Sequence, residues 1–264
     1  MGMRSGMRSG TRTGIWTKVA VATVASVLSF PGSPLAAEIT VLTSQGCLSG
    51  VRDLAAGFEK ATGNKVNVSF EAGNALNQKI DADAPADLVA NTLDTFEDFQ
   101  KRGKIVSGSV VEFARAGNGV AVKAGTLKRD ISTPEAFRLA LLNSASIGHS
   151  NAGTGPFNTR LFQKLGIYDM VKGKVKIITG RTVAMAVAAG DVEIGIQQTN
   201  VIQPVAGTEY LGPLPQELME YGRFGAGLLT VSKETETAKA FIKFMAAPEN
   251  QDLIRKSAME PPAS

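Results

Sequence analysis

The sequence predicts an α/β protein of two lobes, each a mostly parallel sheet flanked by helices, with a ligand cleft between them. Three observations carry this. From Glu38 onward, strand-like and helix-like stretches alternate. The alternation restarts after Lys128. A helical tail then closes the chain. Alternation of this kind is the mark of a parallel sheet with helices packed on its faces.

The elements follow in order. "EITVLT" (38–43) reads as a strand. Residues 47–62 read as a helix, with Leu48, Val51, Leu54, Ala55 and Phe58 on one face. "KVNVSF" (65–70) is the next strand, "NALNQKIDA" a short helix and "ADLVA" (86–90) a strand. A helix carrying Phe96 and Phe99 follows, then strand segments near 109–114 and 119–123. In the second block "TPEAFRLALLNS" is a helix with Thr133 as N-cap, because a threonine oxygen can accept from a free N–H of the first turn. "ASIGHS" is a strand, "GPFNTRLFQKLG" a helix ended by Gly166, "KVKIIT" a strand, "RTVAMAVAAG" a helix and "VEIGIQ" a strand. "GRFGAGLLTVS" is a late strand, and "ETAKAFIKFMAAP" and "ENQDLIRKSAM" close the chain as helices. The expected division is 38–118 plus 219–264 for the first lobe and 119–218 for the second.

Composition narrows the class. The 264 residues are 44% hydrophobic and 20% charged, enough to bury a sizeable core. Arg4, Arg8, Arg12 and Lys18 all lie in the first 37 residues, which hold no acid. With those four set aside, the remaining 24 basic residues match 24 acidic ones. That balance offers no electrostatic case for binding nucleic acid or an anionic membrane. Residues 1–37 read as a cleavable signal peptide: a basic start, the apolar run "VAVATVASVLSF", then "PGSPLAAE". The expected location is therefore the periplasm. Cys47 is the only cysteine, so no internal disulfide is possible.

Four strand-to-helix turns share a character: "TSQGC" (43–47), "EAGN" (71–74), "SNAGTGPFN" (150–158) and "TGRT" (179–182). Each is rich in Gly, Ser, Thr or Asn and opens a helix. Glycine allows a close backbone approach. The first N–H groups of a helix lack internal partners and carry the positive end of its dipole. Several such starts around one cleft would hold a small dehydrated anion. Ordinary βα turns use the same residue types, so each turn alone is ambiguous. The amides of Gln197, Gln198 and Asn200, with Thr199, form a further polar cluster after a buried strand.

The pattern resembles the periplasmic solute-binding proteins of ABC importers, of the type II two-lobed fold, and among them the molybdate-binding branch. The stretches that carry the resemblance are 38–105, "FNTRLFQKLGIYDMVKGKVKI" and "VAMAVAAGDVEIGI", with "APADLVA" the most specific. The resemblance implies lobes that close over a ligand and a membrane permease that receives it. It implies a ligand site at Ser44, Gln45, Gly46 and Cys47, at Gly73 and Asn74, at Gly153 and Thr154, and at Gly180 and Gln198. Arg181, at a helix start, is read from the residue itself as able to pair bidentately with an anion, or else as a solvated or structural arginine. Within that set the chain departs from the family's hydroxyl-rich pocket. Gly46 and Gly73 stand where serines are expected, and Gln198 stands where a tyrosine is common. The implied ligand is a molybdate-like or tungstate-like oxyanion, with a small organic acid anion as the alternative that Asn74, Arg181 and Gln198 favour.

Two rivals come from other classes. A secreted enzyme would have to use Cys47 with His149, the one histidine, and no catalytic spacing supports that pair. An effector domain of a transcription regulator can share the fold, but no helix-turn-helix module precedes residue 38. No cofactor or metal site is expected, since one His and one Cys give too few soft ligands. The expected state is a monomer that is not an enzyme.

Overall fold

The computed structural model describes residues 36–71, 74–150 and 154–263. All but the last two residues of the expected signal peptide fall outside them, as do Gly73 and Gly153. The first half begins with β1 (Glu38–Thr43), α1 (Leu48–Thr62), β2 (Lys65–Phe70) and α2 (Ala75–Asp81). It continues through β3 (Leu88–Thr92), α3 (Phe96–Lys101) and β4 (Val111–Ala116). The chain then enters β5 (Asn118–Lys123), α4 (Pro134–Leu142), β6 (Ile147–Ser150), α5 (Thr154–Lys164) and α6 (Tyr168–Val171). β7 (Val175–Ile178), α7 (Val183–Ala189), β8 (Ile194–Gln198), α8 (Thr199–Ile202) and β9 (Thr208–Pro213) follow. It returns through β10 (Gly222–Leu228) and ends with α9 (Thr235–Ala246) and α10 (Gln251–Lys256).

The strands form two five-stranded sheets, ordered β2-β1-β3-β10-β4 and β7-β6-β8-β5-β9. In the first, β1 pairs in parallel with β2 and β3, and β10 runs antiparallel between β3 and β4. In the second, β6 pairs in parallel with β7 and β8, and β5 runs antiparallel between β8 and β9. Four strands of each sheet therefore share one direction, and the reversed strand is the one entered from the other half. The two sheets are the same design used twice, joined by crossings at Gly117 and at 214–221. This is the two-lobed fold that the sequence predicts. One strand, β9, was not anticipated, because "TEYLGP" sits among Gly and Pro residues that read as loop.

Each sheet is covered on both faces. Alternation along β1 sends Ile39 and Val41 to one core with Val51, Leu54 and Phe58 of α1 and Phe241 of α9. Leu42 goes to the other core, with Leu76, Ile80, Phe96 and Phe99. Phe58 stacks against Phe241 at 5.0 Å and Phe244 at 5.5 Å between ring centres. In the second sheet Ile147, Ile194 and Ile196 pack against Phe137, Phe157 and Phe162. Ala121, Val187 and Val192 fill the opposite face. The period of two in the strands and of three to four in the helices is what makes both faces apolar.

Local chemistry explains the boundaries. Thr133 Oγ1 accepts from Ala136 N at 3.1 Å, so it is the N-cap the sequence indicates. Thr182 does the same for Met185 N at the start of α7. α1 ends at Gly63, in the left-handed conformation (φ 76°), with its N–H on Glu59 O. The "APADLVA" segment has a structural logic. Buried Asp87 accepts from Thr40 N through one oxygen, and from Ser232 Oγ, Lys233 N and Glu234 N through the other. It pins β1, the start of β3 and the entry to α9 at the strand ends opposite the helix-opening turns.

Candidate functional site

β1, β2, β6 and β7 run into the four turns the sequence singles out, and the turn after β1 meets the start of α8, which follows β8. Open α/β sheets bind ligands at this end. The meeting point is specific. Asn200, at the start of α8, donates from Nδ2 to Gly46 O at 2.8 Å and to Ser49 Oγ at 3.2 Å. A Cβ on Gly46 would stand 3.1 Å from Gln198 Oε1, and one on Gly222 only 2.6 Å from Gln198 Nε2. The Gln198 side chain thus lies between two glycines of the first half while its own strand belongs to the second sheet.

Strand periodicity divides the amide cluster. Gln197 points to the α7 face, where its Oε1 accepts from Ala184 N at 3.2 Å in a buried structural cap. Gln198 points to the α5 face, as do Ile194 and Ile196 before it. Its Cα partner across the antiparallel ladder is Asn118, so the two side chains share that face. Asn118 follows directly on the first crossing and donates from Nδ2 to Glu220 O, in the second crossing, at 3.1 Å. Asn158 of α5 donates to Ile196 O at 3.3 Å.

The expected site residues fall into distinct positions. Ser44, Gln45, Gly46 and Cys47 form the turn after β1, with Ser44 in extended conformation ahead of a 3-10 turn at 45–47. Cys47 departs from expectation. Its Sγ is fully buried in the first core, 3.3 Å from Ala90 O and 3.3 Å from Thr43 Oγ1, so the thiol is turned away from the cleft. Burial pushes the thiol pKa up, and the hydrogen bonds from Thr43 and Ser44 offset this only in part. Asn74 opens α2, exposed, with its Oδ1 accepting from Asn77 Nδ2. Thr154 begins α5 and is buried. Beside it, a Cβ on Gly155 would lie 2.0 Å from Ser150 O, so that glycine lets the helix start touch the strand end.

Gly180 occupies an exposed left-handed turn (φ 73°). Arg181 does not turn inward. Its guanidinium pairs with Asp191, which precedes β8 and so lies at the opposite end of the strands. An arginine free to satisfy an exposed carboxylate along its own helix needs no desolvation, which explains why it stays outside. His149 is likewise apart from Cys47: its Nε2 meets Thr159 Oγ1 at 3.3 Å on the α5 face. The thiol packs in the first core, whereas the imidazole lies against α5 of the second half.

Three residues that pack around the end of β8 carry no mark in the sequence reading: Asn118, Asn158 and Gly222. Asn158 left a signal, since it stands among Phe157, Leu161 and Phe162 on the inward face of its helix. Gly222 left none, because only the approach of Gln198 from the other half requires it. Among the described residues no helix is long and apolar enough to cross a membrane, and no group of three or more His, Cys, Asp or Glu is placed to hold a metal.

Comparison with known proteins agrees with this geometry. An aconitate isomerase from a Pseudomonas species is 25% identical over 229 residues, covering 84% of this chain and 87% of that protein. A molybdate-binding protein from Azotobacter vinelandii is 27% identical over 245 residues, covering 90% and 95%. The solved periplasmic molybdate-binding protein of Azotobacter vinelandii superposes with a TM-score of 0.71 at 21% identity, over 85% of this chain and all of that one. The substrate-binding domain of a Clostridium difficile molybdenum transporter does so with 0.68 at 14% identity, over 86% of this chain and all of that one. At these identities the solved structures speak for the fold alone. A family model describing bacterial extracellular solute-binding proteins matches residues 39–260. The chain therefore belongs to the bacterial extracellular solute-binding proteins of ABC importers, with molybdate-binding proteins among its relatives.

Proposed function

We propose that this chain captures a small organic acid anion between its lobes and delivers it to a membrane permease. The observation that carries the ligand class is the Gln198 side chain held between Gly46 and Gly222. A carboxamide spans a larger, flatter ligand edge than a hydroxyl does, and the glycines leave room for it. Helix starts after β1 and β6 supply N–H groups and the positive dipole end for a carboxylate. A relative named for acting on aconitate, a tricarboxylate, fits the same class.

A second reading keeps a molybdate-like oxyanion in the same cleft. It is favoured by the relatives that carry that name and by the hydroxyls of Ser44 and Thr154. In either reading residues 1–37 act as an export signal, the mature chain works as a periplasmic monomer, and the lobes are 38–118 plus 219–264 and 119–218. Either reading is of binding without turnover, in keeping with a family described as solute-binding.

A thermal-shift screen tests the reading. A ligand at a hundredfold its Kd should raise Tm by roughly 5–10 °C for a chain of this size. Aconitate, citrate and other small carboxylates should do so, and molybdate, tungstate and sulfate should not. Shifts with molybdate alone would replace the first reading by the second. A shift only with neutral sugars or amino acids would sink both.

A further inference from the structure

Three buried carboxamides ring the end of β8. Asn118, Asn158 and Asn200 are at most 4% exposed. Each commits its nitrogen to a carbonyl: Asn118 to Glu220 O, Asn158 to Ile196 O and Asn200 to Gly46 O. Each leaves its Oδ1 without a hydrogen-bond partner among the described residues. Turning any of these amides over would set its oxygen against a carbonyl oxygen, so the acceptor end is fixed by the bond at the donor end. A buried acceptor left unmet carries a substantial desolvation cost, so three around a single strand end call for donors to meet them.

The placement ties them to the cleft. Asn118 lies between the two crossings and shares a face with Gln198. Asn158 reaches the carbonyl two residues before Gln198. Asn200 stands two residues after it and bridges to the turn at Gly46. We infer that the cleft selects an anion that also bears hydroxyl donors, a hydroxylated carboxylate, whose hydroxyl groups are met by the side-chain oxygens of this asparagine ring. The inference rests on the organic-acid reading and deepens it. A bare oxyanion only accepts hydrogen bonds and would leave all three oxygens unmet. A site built to accept from a hydroxyl discriminates strongly against the analogue that lacks it.

The test is calorimetric titration of the purified chain with ligand pairs matched in charge and carbon skeleton: citrate against tricarballylate, and malate against succinate. The hydroxylated member of a pair should bind about tenfold more tightly or better. Asn158→Leu should reduce that ratio while leaving the deoxy ligand's affinity in place. The wild-type pairs decide the matter even where the variant folds poorly. Equal affinity within each pair overturns the inference and leaves the organic-acid reading standing, with ordered water meeting the three oxygens. Binding of molybdate with no carboxylate bound overturns the organic-acid reading and this inference together.

Discussion

The side-chain nitrogen of Asn200 donates to the carbonyl oxygen of Gly46 at 2.8 Å, joining the helix after β8 to the turn after β1. Residues 154 apart in sequence meet here, one from each half. The same nitrogen also reaches Ser49 Oγ. These bonds exist only while the halves are in contact, so they bias the closed arrangement over an open one. Asn200→Ala removes both and should cost the closed state about 1–2 kcal/mol. Ligand affinity then falls about tenfold or more, because part of the binding energy goes into closing the lobes and the side-chain oxygen offered to the ligand is lost as well. The two sheet cores are untouched, so the melting temperature without ligand should move little. Titration calorimetry gives the affinity, and small-angle scattering with and without ligand gives the closure. An unchanged affinity would show that this bond does not help to hold the lobes together.

Gly222 tests the role of Gln198 separately. A methyl at position 222 meets only the far end of the Gln198 side chain closely, at 2.6 Å, and the Phe224 ring at 3.5 Å. Gly222→Ala should therefore displace the amide and leave the strand in place. The expected outcome is a changed order of ligand affinities at unchanged Tm. Gly46→Ala is a poor substitute, since its methyl also strikes Phe224 Cε1 at 2.8 Å, within its own half. If the ligand order is the same in Gly222→Ala, Gln198 does not touch the ligand.

Much of this was legible in the sequence, and for physical reasons. Ile39, Val41 and Leu42 alternate between two cores, and Val51, Leu54 and Phe58 recur at helical spacing, so burial wrote both periods into the chain. Thr133 announced a helix start because a cap is a local device. The site was less legible because it is made by contacts that only closure of the two halves creates. Gly222 is unremarkable until Gln198 arrives. Arg181 reads as an anion ligand in its own turn, yet Asp191 lies close enough to claim it. Gln197 and Gln198 read alike and serve opposite faces, one capping α7 and the other entering the cleft.

Glu71 sets the acid limit of the turn after β2. Its carboxylate accepts from Lys79 Nζ and from Ser69 Oγ at 2.9 Å, and the bond from Lys79, chiefly, holds its pKa below the usual carboxylate range. A folded-state pKa that is depressed contributes stability above the unfolded value, about 4.3 for glutamate. That contribution is lost as pH falls through the folded value. The stability difference between wild type and Glu71→Gln should accordingly be constant from pH 7 down to about 5.5 and shrink below about 4.5. Denaturant unfolding at stepped pH measures it. A difference that grows toward low pH would contradict the assigned pairing.

Cys47 gives the sharpest contrast between a reactive thiol and a packed one. It stands one residue past a Gly-rich turn at a helix start, the setting that lowers a thiol pKa and makes a nucleophile. In the fold its Sγ instead faces Ala90 O and the Thr43 hydroxyl inside the first core. Burial raises its pKa, so the group is a neutral thiol at physiological pH. A disulfide reagent such as dithionitrobenzoate should leave the native protein unmodified over hours and label it stoichiometrically once it is unfolded in denaturant. Cys47→Ala should cost about 1 kcal/mol through the small cavity it leaves, yet bind ligand with unchanged affinity, because the side chain lies in the first core. Rapid labelling of the folded chain, or lost binding in the alanine variant, would return the thiol to the site.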